Sequence, residues 1–216
     1  METLNAWQRN AKIRTERILT AALALFCERG IEDTSIEDVA KEARTGPATI
    51  YRYFETKAQL AVSGARFYWE RTARKYIKTF ESPLYKAANG KEKMTCIFEI
   101  FTEIFEKEFD FLKFLYEFDA FVMKYRIPRE RLDEYEAGIL NLKSYITDAL
   151  EQGLADGTLH FQYSVDELYF SLTHTMLSLM QKLAANGRML SSDDRVELAL
   201  QVRIAGELLL KGLEQD

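Results

Sequence analysis

Apolar residues recur at threes and fours along most of this chain, the spacing of helices that each bury one face. Ile18, Ala22, Leu25 and Phe26 form the first stripe, and Gly30 closes it. A second stripe, Ile36, Val39 and Ala40, is entered through Ser35, with Asp38 placed near the positive end of the helix. The third element is short. Gly46 suits its N-cap and Pro47 its first position, where no amide donor is needed. Thr56 with Gln59 reads as a capping box that opens a long fourth helix, running to about Ser82 before Pro83.

The same punctuation continues downstream. Asn89 with Glu92 starts a helix carrying Ile97, Phe98, Phe101, Ile104 and Phe105, and a second aromatic run spans Phe111 to Phe121. From Arg129 one long helix is expected to reach the turn marked by Gly153 and Gly157. Ser164 with Glu167 caps the next, which ends at Asn186-Gly187, and Ser191 or Ser192 opens the last, to about Leu213. The pattern predicts an all-α chain of about nine helices, without repeats or a low-complexity linker.

Composition narrows the class. Apolar residues make up 47% and charged residues 29%, and only three prolines and ten glycines interrupt the chain. Cys27 and Cys96 lie far apart within amphipathic stretches, which predicts free thiols in a reducing compartment rather than a disulfide framework. The first residues lack a signal-peptide pattern, and the longest uncharged run in the second half is too short and hydroxyl-rich to cross a bilayer. A cytoplasmic protein is the expectation. With two histidines and no nucleophile motif, Gly-rich phosphate loop or metal-ligand spacing, the sequence predicts neither an enzyme nor a cofactor or metal requirement.

The net charge of -5 is unevenly divided. Residues 1–80 hold 14 Lys+Arg against 10 Asp+Glu, and residues 81–216 the other 15 against 24. A mildly basic head on an acidic body is the pattern of a chain that presents one end to phosphate.

The second and third helices, with the short link between them, have the layout of a helix-turn-helix. On a helical wheel Ile50 and Phe54 turn inward, while Ala48, Thr49, Tyr51 and Arg52 face outward with Tyr53 on the flank. That outer face offers a small residue, a hydroxyl, a phenol and a guanidinium, groups that bond phosphates and read base edges. The alternative for the tyrosines is packing onto neighbouring helices.

Residues 17–60 resemble the DNA-binding head of the TetR (tetracycline-repressor) family of transcriptional regulators. The resemblance is carried by Gly30, by Thr34-Ser35, by Thr49-Ile50-Tyr51-Arg52-Tyr53-Phe54, and by Lys57 with Leu60. It implies a DNA-binding domain over 1–55 and an effector-binding and dimerisation domain over 56–216, with helix four, about 56–82, as connector. It further implies that Thr49, Tyr51 and Tyr53 contact backbone and bases, that Lys57 meets a phosphate and that Arg52 reads a base, with Gly46 and Ala48 in the same surface. One departure stands out. The family's inter-helix turn commonly has Gly and then an aliphatic residue where this chain has Arg44 and Thr45. Arg44 either strains that turn or adds a phosphate contact. Lys12 and Arg14, ahead of the first stripe, read either as an arm toward DNA or as a solvated terminus.

Eight of the fourteen phenylalanines fall within residues 98–121. Core packing accounts for most of them, yet Phe101, Phe105, Phe118 and Phe121, joined by Tyr145 and His174, also suit a site for an apolar or aromatic small molecule. His174 reads as a satisfied core histidine or as that site's polar contact. Leu168, Leu172, Met176, Leu179 and Leu183, with Val202, Ala205, Leu208 and Leu209, give the last two helices broad apolar faces. Those faces either bury within one subunit or form a homodimer's four-helix interface. The expected function is a ligand-responsive repressor that binds a palindromic double-stranded DNA operator as a homodimer. The alternative is a helical protein-interaction adaptor without specific DNA binding.

Overall fold

The structure is a computed structural model that describes residues 5–214. Eleven α-helices and no strand occur among the described residues, so the chain is all-α as the pattern predicts. They are α1 (Ala6–Arg29), α2 (Ile36–Glu42), α3 (Pro47–Tyr53), α4 (Lys57–Phe80), α5 (Pro83–Ala87) and α6 (Gly90–Lys107), then α7 (Phe109–Lys124), α8 (Asp133–Leu140), α9 (Lys143–Asp156), α10 (Val165–Asn186) and α11 (Leu198–Gly212).

Two of these account for the difference from nine. Helix α4 stops at Phe80, and Ser82 accepts from the Tyr85 amide at 3.2 Å to cap the single-turn α5, with Pro83 in its first turn. The long helix expected from Arg129 is broken into a 3-10 turn (Arg129–Arg131), α8 and α9. Asn141 falls in the break, a residue that competes with the helix by bonding local backbone. Helix α1 is longer at its start than its apolar stripe shows. Asn5 and Gln8 exchange hydrogen bonds of 2.9 Å in a capping box, so Lys12 and Arg14 stand inside α1 rather than in an arm ahead of it. The last helix also starts later than expected. Ser191 begins a 3-10 turn, and the Glu197 carboxylate accepts from Ala199 and Leu200 amides to start α11.

The chain divides into two compact units, and the division falls inside α4, α7 and α8. The first comprises the chain up to Glu70 with Glu117–Gly138. Here α1 packs on α2 and α2 on α3, over a core that includes Ile18, Ala22, Phe26, Val39, Ile50 and Leu60. Gly30 ends α1 at φ 86, a left-handed backbone that favours glycine, with the mobile end of the Glu117 side chain beside it. Phe118 meets Tyr135 edge-on at 5.1 Å between ring centroids, and Arg66 of α4 pairs with Glu134 of α8.

The second unit holds Arg71–Tyr116 and the chain from Ile139 onward. Helix α6 is its centre, packed against α9 and α11, with α10 closing on both of those. Its core gathers Tyr76, Phe80, Phe98, Phe105, Leu112, Leu150, Met176 and Val202 among others. Where α6 meets α9, a Cβ on Gly90 would lie 2.1 Å from Gly153 Cα, so the two backbones touch. Gly153 is thus a packing residue inside α9, and Gly157, at φ 72, is the one that ends it.

Candidate nucleic-acid interface

The turn ahead of the third helix is built by α2's ending. Arg44 donates its amide to Lys41 O at 3.1 Å and Thr45 to Ala40 O at 2.9 Å, the paired bonds of a Schellman motif. That motif needs a left-handed residue, and Arg44 supplies it at φ 50. The strain reading of Arg44 therefore applies, while its exposed side chain remains open to solvent. Helix α7 ends the same way, with Arg126 at φ 49 and Ile127 donating to Val122 O at 3.1 Å.

Gly46 then caps α3 with Pro47 in its first turn, as the sequence indicates. Ile50 is fully buried and Phe54 nearly so, seating α3 on the core. The opposite face is open. Ala48 and Arg52 are exposed, Tyr51 keeps 50% of its surface, and Thr45, Thr49 and Tyr53 are half-buried. Among the described residues, no protein hydrogen bond engages the side chains of Arg44, Thr49, Tyr51 or Arg52. The Arg52 guanidinium lies 5.4 Å from the Tyr53 ring centroid, a cation–π distance that limits its freedom without occupying its donors. A face of donors beside an exposed methyl is one that can meet phosphates and base edges.

Lys57 does more than the sequence suggested. Its ammonium donates to Glu32 O at 2.9 Å and Thr34 O at 3.1 Å, tying the start of α4 to the turn between α1 and α2. One of its three hydrogens remains for a phosphate. Thr34, fully buried, donates to Gly30 O at 2.7 Å and completes that turn. At the head of α4, Gln59 accepts from Glu55 rather than Thr56, while its own amide bonds Thr56 Oγ1 at 3.1 Å. Asp38 is held below the usual carboxylate range by the Ser35 hydroxyl, then by the Ser35 amide, with Arg29 3.4 Å away.

The six residues named for an effector are divided between the two units. Phe118 and Phe121 are buried in the first unit, Phe121 tilted against Tyr125 at 4.6 Å. Phe101, Phe105 and Tyr145 belong to the core of the second, where Tyr145 stacks on Phe80 at 4.4 Å. His174 is corrected outright as a core histidine. Leu172, Thr173 and Met176 take the buried face of α10, which turns His174 to the exposed face, 5.9 Å from the Phe170 ring centroid. In the same way Leu168, Leu172, Met176, Leu183 and Val202 are buried within the subunit. The apolar residues left exposed on α11 are Leu200, Ile204 and Leu208, three residues on one stripe. No helix among the described residues is long and apolar enough to cross a membrane.

Residues 18–63 match the bacterial regulatory proteins of the tetR family. The HTH-type transcriptional repressor KstR2 of Mycolicibacterium smegmatis is 25% identical over 72% of this chain and 72% of its own. Another relative, an uncharacterized HTH-type transcriptional regulator of Bacillus subtilis, is 33% identical over 61 residues, 28% of this chain and 21% of its own length. Among solved structures, the fatty acid degradation regulator FadR of Bacillus halodurans superposes over both chains in full, with a TM-score of 0.66 and 18% identity. FadR of Bacillus subtilis, solved in complex with stearoyl-CoA, covers 91% of this chain and 98% of its own, with a TM-score of 0.59 and 20% identity. The head of this chain, residues 18–63, thus matches the tetR family of bacterial regulatory proteins, and the chain shares its fold from end to end with solved regulators.

Proposed function

We propose that the protein is a repressor that binds a palindromic operator as a homodimer and leaves it when a small apolar or aromatic effector binds. The observation that carries the reading is the open face of α3, with Tyr51 half exposed beside the buried Ile50. Tyr51, Thr49 and Tyr53 bond phosphates and base edges, Arg52 reads a guanine, and Arg44, Thr45, Gly46, Ala48 and Lys57 border the contact.

One helix of seven residues reads too few bases for useful specificity, so two copies are needed on half-sites about one helical turn apart or somewhat more. The exposed stripe Leu200, Ile204 and Leu208, with Phe170 on α10, supports the last two helices as the dimer contact. A neighbour of the same fold holds stearoyl-CoA, which supports an effector with an apolar body. Helices α4 and α7 each run unbroken from one compact unit into the other, which supports them as the couplers. The effector acts through its differential affinity for two dimer shapes, a coupling of about 1–3 kcal/mol.

The test is an anisotropy titration of the purified protein on palindromes from its own upstream region at several salt concentrations. Specific binding with a steep salt dependence is expected. Binding that ignores sequence, or none at all, would sink the reading and favour a protein-interaction adaptor.

A further inference from the structure

Thr72 and Tyr76 stand one turn apart on α4, so their side chains share a face. Both are buried, at 3% and 2% exposure; among the described residues Thr72 Oγ1 has no hydrogen-bond partner and nothing accepts the Tyr76 hydroxyl proton, although the Lys75 ammonium approaches the Tyr76 oxygen as a donor. Buried hydroxyls are nearly always satisfied, so the pair calls for an explanation. The other buried threonines show how easily one is met. Thr34, Thr102 and Thr173 each donate to the carbonyl four residues earlier, at 2.7, 3.3 and 2.6 Å. Thr72 leaves that option unused.

The surroundings say what the pair is suited to. Tyr76 belongs to the apolar cluster that contains Phe105 and Leu112. Lys75 Nζ lies 4.9 Å from the Tyr76 ring centroid, and its charge is already met by Glu103 at 3.5 Å and Glu108 at 3.8 Å. Burial pushes the Tyr76 phenol above its ordinary value, against the opposing pull of Lys75, so the hydroxyl keeps its proton to donate.

We propose that Thr72 and Tyr76 are the polar anchor of the effector site, two hydroxyl donors that receive one uncharged carbonyl oxygen on an otherwise apolar molecule. This rests on the regulator reading above and names the effector's chemical class. A carboxylate brought to Tyr76 would lose its water without gaining a net positive partner, since Glu103 and Glu108 balance Lys75. A plain hydrocarbon would leave both hydroxyls unmet, and such sites discriminate strongly against analogues that lack the bonding group. The anchor lies on the helix that begins at Lys57 in the head, so an oxygen held there acts on the coupler itself.

The experiment uses the full chain and three probes of one shape: 2-acetylnaphthalene, 2-ethylnaphthalene and 2-naphthoate. Calorimetric titration of the wild type is expected to show the ketone binding about tenfold or more tightly than the other two. In the Thr72→Val, Tyr76→Phe double variant the ketone should fall to the level of the hydrocarbon, whose own affinity stays unchanged. Without probe, that variant should melt at or above the wild-type temperature, because apolar isosteres replace unmet hydroxyls. Equal binding of the three probes, binding of none, a ketone preference that survives in the variant, or a variant that melts lower would each overturn the anchor. Titrating the same preparations with operator DNA separates the two levels. Operator binding without ketone preference refutes the anchor alone, whereas loss of operator binding by the wild type refutes the regulator reading.

Discussion

Lys124 donates to both carboxylate oxygens of Glu32, at 2.7 and 3.0 Å, joining the last turn of α7 to the turn between α1 and α2. Its hydrogen bond is the largest influence on Glu32 and holds that carboxyl below its ordinary value. A carboxyl depressed in the folded state adds stability above its unfolded pKa and loses it as pH falls through the folded value. The sign is the same for Asp38, Glu103, Asp156 and Glu167, each lowered by hydrogen bonds to its ionised form. Melting temperature should therefore decline once pH drops below the ordinary glutamate value of 4.5. Glu32→Gln should melt lower than wild type at neutral pH and lose less on further acidification. Parallel melting curves for the two proteins would mean the pair contributes nothing.

Arg44 holds a left-handed backbone conformation that costs a side-chain-bearing residue about 1–2 kcal/mol. Arg44→Gly removes that cost but adds about 0.5–1 kcal/mol of chain entropy, leaving a net gain of roughly 0.5–1 kcal/mol. Denaturant unfolding measures it. If the guanidinium also meets a phosphate, the same variant should weaken operator binding and lower the salt slope by about 1. A more stable protein with an unchanged slope would leave Arg44 as a strained turn residue only.

Ile50 and Tyr51 are sequence neighbours with opposite exposure, fully buried against half open. Ile50→Ala should cost about 2–5 kcal/mol and unfold or loosen the head. Tyr51→Ala should change stability by less than about 0.5 kcal/mol. Its effect should fall on DNA, with operator affinity reduced tenfold or more, read by anisotropy at fixed salt. A Tyr51→Ala protein that melts early would support packing as the role of the phenol.

Leu208 leaves 64% of its surface exposed, in line with Ile204 and Leu200. Ile204→Arg should convert a dimer to a monomer by sedimentation velocity and weaken binding to a palindrome more than to a half-site. A dimer that survives the charge would place the contact elsewhere.

The head was legible because its signals are local. Ser35 with Asp38, Gly46 with Pro47, and the Ile50–Phe54 pair each lie within a few residues, and each stands where the pattern put it. The body was less so, because its helices are apolar on more than one side. Leu172 and Leu208 look alike in sequence, but one faces α10's own core and the other solvent. His174 sits in an apolar run, and only the phase of α10 shows that it points outward. No local signal marks Gly90 and Gly153 as touching, since their contact depends on how α6 crosses α9. Thr72 and Tyr76 were missed for a related reason: an unmet hydroxyl is a property of its surroundings, which the chain alone does not display.

Four helices, α1, α2, α6 and α10, open with reciprocal capping boxes drawn from residues three apart. Each such start can form before any distant part of the chain arrives, so nucleation sites are distributed along the polypeptide as it emerges. Secondary structure that assembles from nearby partners favours rapid folding, with the slow step left to the docking of preformed helices.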